Sequence, residues 1–162
     1  MSVFTLKLIA VFCMICDHIR YIDYESVFFN NTCTKILGRI AFPIFAFMIA
    51  EGYSHTKNVK KYIQRLGIFA IISQIPFLMF IWGCGITEKF ELNVIFTMFI
   101  GVCSLLIYDK VGNKLLKVVG MVALCVLAQL LKTDYGALGV LAIIIFYVLK
   151  NINKKWEIRW SQ

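Results

Sequence analysis

Long polar stretches are missing from this chain. No linker, low-complexity tract or clear repeat separates the apolar runs of its 162 residues, so one domain spanning 1–162 is expected. Polar helix faces are missing as well. The chain is 60% hydrophobic, against about 45–50% in soluble domains, and a small bundle cannot bury that many all-round apolar helices. This excludes an ordinary soluble core. Interleaved aromatic and basic residues are also lacking, which argues against nucleic-acid binding despite a net charge of +8. A cleavable leader is lacking too: residues 1–7 are barely basic and no small-residue cleavage site follows the first apolar run. The first span is expected to be its own anchor.

What is present is a series of apolar segments at about 5–22, 36–54, 62–82, 92–108, 115–131 and 135–149. Most approach the roughly 20 residues a spanning helix needs. The expected fold is all-α, a polytopic membrane bundle of six transmembrane helices. Lys and Arg cluster in 55–65, 109–117 and 150–162, while 23–35, 83–91 and 132–134 carry few. The positive-inside rule then places both termini and the basic tail in the cytoplasm. Pro43 and Pro76, the two prolines, fall inside spans two and three, where neighbouring helices can satisfy the freed carbonyls.

Ionisable residues inside apolar spans are costly and mark candidate sites. Asp17 and His18 lie in the first span, at a depth that reads as mid-membrane. His18 suits a general base toward a hydroxyl or amine, because an imidazole titrates near neutral pH. Neighbours on a helix point about 100° apart, so Asp17 or another acid has to be brought round to orient it. Arg39 in span two is a candidate counter-ion for Asp17. Ser73, Gln74, Asn93, Thr97, Asp134 and Tyr135 fall toward the same, outer half of the bundle. They serve either as a polar pocket or as hydrogen bonds between helices. Glu51 and His55 share one helix face at i,i+4 spacing near the inner end of span two. His55, Lys57, Lys60 and Lys61 form a basic loop suited to headgroups or to an anionic ligand such as a nucleotide-bearing acyl donor.

Cysteine adds little. Cys13, Cys16, Cys103 and Cys125 lie within spans and behave as small hydrophobes. Cys13 and Cys16 have metal-ligand spacing but no second pair to complete a site, so no metal is expected. Cys33 and Cys84 fall in outer loops and are candidates for a bridge.

Taken in order, these stretches resemble the TraX family. The resemblance runs from the segment ending in Asp17-His18 through Leu37-Gly38-Arg39-Ile40-Ala41-Phe42-Pro43 and Glu51-Gly52. It continues at Ser73-Gln74-Ile75-Pro76, Leu92-Asn93, and Asp134-Tyr135-Gly136. It implies a multi-pass acetyltransferase of the bacterial cytoplasmic (inner) membrane, with acetyl-CoA as acyl donor. The implied acceptor is the N-terminus of a conjugative pilin or another cell-envelope molecule. On this reading His18 is the general base, Asp17 or another acid orients it, and Arg39 and Asn93 stabilise developing negative charge. The residues from Glu51 to Lys61 named above bind the donor, and Ser73, Gln74, Asn93, Thr97, Asp134 and Tyr135 line the pocket. Members of the family usually continue past the Asp-Tyr-Gly span, so the chain is expected to lack a C-terminal part. Two other functions fit the same residues. One is a noncatalytic membrane component of a conjugation or secretion system. The other is a small proton-coupled transporter using Asp17, His18 and Glu51, for which no inverted repeat is evident.

Overall fold

In the computed structural model, which describes residues 3–22, 32–85 and 91–152, all regular structure is helical. The six helices are α1 Val3–Ile22, α2 Thr32–His55, α3 Val59–Gly83, α4 Val94–Lys110, α5 Lys114–Leu130 and α6 Gly136–Ile152. Each of the six apolar segments coincides with one helix. The outer-loop charges at 23–31 and 86–90 and the basic tail 153–162 lie outside the described residues.

Asparagine sets three of the starts. Asn58, Asn93 and Asn113 each turn a side-chain oxygen to the first free amides of α3, α4 and α5, which satisfies donors that a helix start leaves unpaired. Pro43 and Pro76 sit inside α2 and α3 without ending them.

α4 and α6 form the centre. α4 packs on α6, α3, α5 and α2, and α6 packs on α2 and α5 as well. Leu105, Ile143, Val102 and Val140 are fully buried between them. α1 packs on α2. The approach of that pair depends on Gly38, where a Cβ would stand 2.7 Å from the Asp17 Cβ. α3 leans on α4 and does not pack along the length of α1 or α2. It meets α2 at its first turns, where the Tyr62 hydroxyl reaches the Ile49 carbonyl at 3.5 Å. It meets α1 near the opposite end, where the Phe80 and His18 rings lie 5.1 Å apart. Between these two touching points the helices part and leave a cavity.

The outside of the bundle is apolar. Ile71, Ile75 and Met79 of α3, Leu130 of α5 and Leu138 of α6 are all exposed. Two helical stretches, Ile36–His55 and Val59–Gly83, are long and apolar enough to cross a membrane, and only 6% of the second is buried inside the bundle.

Candidate functional site

The cavity between α1, α2, α3 and α4 has a volume of about 440 Å³, within the usual range for a ligand site. Phe45, Ile49, Leu66, Phe69 and Met98 give it apolar walls. Its polar groups gather at one end, where Asp17 and His18 of α1 meet Asp134 and Tyr135 from the turn before α6. Asp17 lies five residues before the end of α1, so this polar end is close to one rim of the bundle and not at its centre.

His18 is held by its own helix. Its Nδ1 lies 2.8 Å from the Met14 carbonyl oxygen one turn earlier. A carbonyl only accepts, so Nδ1 carries the hydrogen and Nε2 keeps the lone pair. The group that orients the imidazole is therefore a backbone oxygen. Sequence reasoning looked to a carboxylate because side-chain pairs can be read from spacing, whereas a ring bonded to its own backbone leaves no pattern.

The turn that delivers Asp134 is stapled in place. The Leu92 amide donates to the Lys132 carbonyl at 3.1 Å and the Asp134 amide donates to the Leu92 carbonyl at 3.0 Å. Lys132 and Gly136 both take positive φ, 50° and 49°, which glycine alone accepts without strain. Tyr135 stacks on Phe42 with ring centroids 3.8 Å apart. Desolvation pushes the Asp134 carboxyl up to about 6, helped by the charges of Glu91 and Asp17 and opposed by those of His18 and Arg39. Those four groups therefore surround one rim. Arg39 itself is exposed on α2.

Ser73, Gln74 and Asn93 form a clasp between α3 and α4. The Asn93 Nδ2 donates to the Ala70 carbonyl, the Ser73 hydroxyl and the Gln74 Oε1 at 3.0, 3.2 and 2.9 Å. Gln74 Oε1 also accepts from the Asn93 amide, and Gln74 Nε2 donates to the Glu91 carbonyl. Thr97 is fully buried one turn deeper, and its hydroxyl has no hydrogen-bond partner.

The other end of the bundle holds a separate cluster. Glu51, 3% exposed, takes Lys150 of α6 at 2.5 Å and His55 at 3.1 Å on the same oxygen. Its second oxygen is buried and has no partner. Next to it the hydroxyls of Tyr53 and Tyr147 both donate to Asp109 at 2.8–3.0 Å. Lys57, Lys60 and Lys61 stand exposed where α3 begins. Thus the structure brings Asp17, His18, Asp134 and Tyr135 together and sets Glu51 and His55 apart from them. Lys150, Asp109, Tyr53 and Tyr147 were missed from the sequence. Lys150 lies 99 residues from Glu51 and reads there as a tail charge. The thiols of Cys13, Cys16, Cys84, Cys103 and Cys125 are free, and the side chain of Cys33 lies outside the described residues.

Among the described residues, six helices, four of which wall a ligand-sized cavity with an imidazole and carboxylates at one rim, define an all-helical bundle protein. The family model described as TraX protein matches residues 2–161, and the chain belongs to the TraX family. It is also similar to a curated protein of Dichelobacter nodosus named "Probable fimbrial assembly protein FimC, serogroup H1". The two are 30% identical over 113 residues, 65% of this chain and 46% of that relative. The chain thus spans less than half the length of the curated relative it matches. No solved structure matches.

Proposed function

We propose that this chain is a multi-pass protein of the bacterial cytoplasmic membrane that moves an acetyl group from acetyl-CoA to a pilin N-terminus or another cell-envelope acceptor. Its helices run from 17 to 25 residues, the length range that crosses a bilayer. Their apolar outer faces suit lipid. The end bearing Lys57, Lys60, Lys61, Lys110 and Lys114 is then cytoplasmic.

The observation that carries the chemistry is His18, fixed with Nε2 as acceptor at the polar end of the cavity. An acceptor amine or hydroxyl placed there loses its proton to Nε2 as it attacks the thioester carbonyl. The new C–N or C–O bond forms, the C–S bond breaks, and His18 returns the proton to the departing thiolate. Asp17 stabilises the imidazolium that forms between those steps, and Arg39 stabilises developing negative charge. The exposed lysines at the cytoplasmic end suit the phosphates of the donor.

The relative's name, which speaks of fimbrial assembly, favours a pilus-associated role and also suits a noncatalytic membrane component. The experiment that separates the two follows thermal stabilisation and CoA release with acetyl-CoA in nanodiscs, wild type beside His18→Ala. The enzyme reading expects stabilisation in both and a loss of release of at least about 100-fold in the variant. Release that survives in His18→Ala removes the general base. A folded protein with neither signal is the noncatalytic component.

A further inference from the structure

The cavity has an open side, and the open side has a direction. α1 packs on α2 and α3 on α4, but α1 and α3 do not pack along their lengths. They touch where His18 meets Phe80, and below that point the wall is a gap between two lipid-facing helices. Apolar side chains border it: Met14 on α1, and Leu66 and Phe69 on α3. At its head stand Asp17, His18 and Asp134, with Glu91 close enough to Asp134 to raise its proton affinity. Two carboxylates, Asp17 and Asp134, line this rim and among the described residues no Lys or Arg lines the cavity, so a cationic head is favoured over an anionic one.

We propose that this gap is the entry and resting place of a membrane amphiphile with one alkyl chain and a primary amine at its head. The chain lies between α1 and α3 and the amine reaches the Asp17–His18–Asp134 rim. Size suits one alkyl chain. At roughly 30 Å³ per water-sized group, the 440 Å³ cavity holds about fifteen such groups, the bulk of one long alkyl chain. The α2 wall runs from Gly38 to Ile49, a rise of about 16 Å that suits an extended chain. This assignment rests on the acyl-transfer reading for its consequence, since the amine becomes the acceptor, but its test needs no turnover.

The test is photolabelling in phosphatidylcholine nanodiscs without acetyl-CoA. Three diazirine probes share one sixteen-carbon chain and differ in the head: amine, alcohol or carboxylate. The expected result is labelling on peptides holding Met14, Phe69 and Met98, at least five-fold stronger for the amine and displaced by unlabelled hexadecylamine. Leu66→Trp, which fills the gap, should lower labelling at least five-fold while the protein keeps its thermal transition. Asp17→Asn with Asp134→Asn should bring the three heads within two-fold of one another. Equal labelling by all three probes in the wild type overturns the amine head. Absence of labelling at these peptides in folded protein overturns lateral entry. Amine labelling without acetyl transfer leaves the amphiphile site standing and removes the enzyme reading alone.

Discussion

Lys150→Met tests the ion cluster that ties α6 to α2. Glu51 is 3% exposed and its Oε2 takes Lys150 at 2.5 Å, while Oε1 has no partner. Removing one member of a buried pair leaves a charge without compensation, typically about 3–5 kcal/mol. Two features reduce that figure here. Lys150 is itself 19% exposed, and His55 stays 3.1 Å from the same oxygen at 52% exposure. A pair that open is worth at most about 1 kcal/mol. The expected loss for Lys150→Met is therefore about 2–3 kcal/mol, or about 5–10 °C in Tm for a chain of this size. Glu51→Gln should lose about 1–2 kcal/mol, and the double variant no more than that, giving a coupling of about 2 kcal/mol. The assay is reversible SDS or heat unfolding in detergent for the four proteins, followed by near-ultraviolet circular dichroism. A loss below about 0.5 kcal/mol, or a coupling near zero, refutes the reasoning, since the Lys150–Glu51 contact would then carry no weight in the fold.

The clasp and the rim give two more predictions. Asn93→Asp keeps the oxygen that caps α4 but loses the two Nδ2 hydrogens shared among Ala70, Ser73 and Gln74, so it should cost about 2–4 kcal/mol in the same unfolding assay; a cost under about 1 would mean the cap alone matters. Asp134 has a carboxyl raised from 3.8 to about 6, so it favours the folded state most below pH 4 and that contribution is lost as pH rises through 6. After reduction for solvent screening this is about 1 kcal/mol. Asp134→Asn should flatten the pH dependence of Tm between pH 4 and 7, and an unchanged slope would assign that dependence to other groups.

The helices were legible because hydropathy alone sets where apolar segments lie. Their ends were not, because capping sets them. The apolar reading began span three at 62, whereas Asn58 starts α3 at Val59. It began span four at 92, whereas Asn93 caps α4 and leaves Leu92 to bridge Thr133. Within the candidate site, Asp17 and His18 stood out as charged groups in an apolar run, and Glu51 with His55 stood out by helical spacing. The sequence also suggested one convergent outer set. Only part of that set faces the cavity: Ser73, Gln74 and Asn93 bond to one another and to backbone. Hydropathy gives depth along a helix but not rotation about it, and rotation decides whether a polar group meets a ligand or a neighbour. Lys150 and Asp109 were invisible for another reason. Their partners, Glu51 and Tyr53 of α2 and Tyr147 of α6, are brought near only by the packing of α2, α4 and α6 on one another.

That packing also fixes when the site can exist during synthesis. α3 to α6 meet largely in chain order, but α2 leans on α6, the last of the six helices. A ribosome adding about 5–20 residues per second takes on the order of ten seconds to travel from His55 to Gly136. For that interval the α1–α2 hairpin, with Asp17, His18 and Glu51 already made, has no Lys150 to neutralise Glu51 and no Asp134 turn to close the rim. The nascent chain is therefore most exposed to quality-control proteases just before α6 arrives, and deletions within α6 should be cleared from the cell faster than the intact chain.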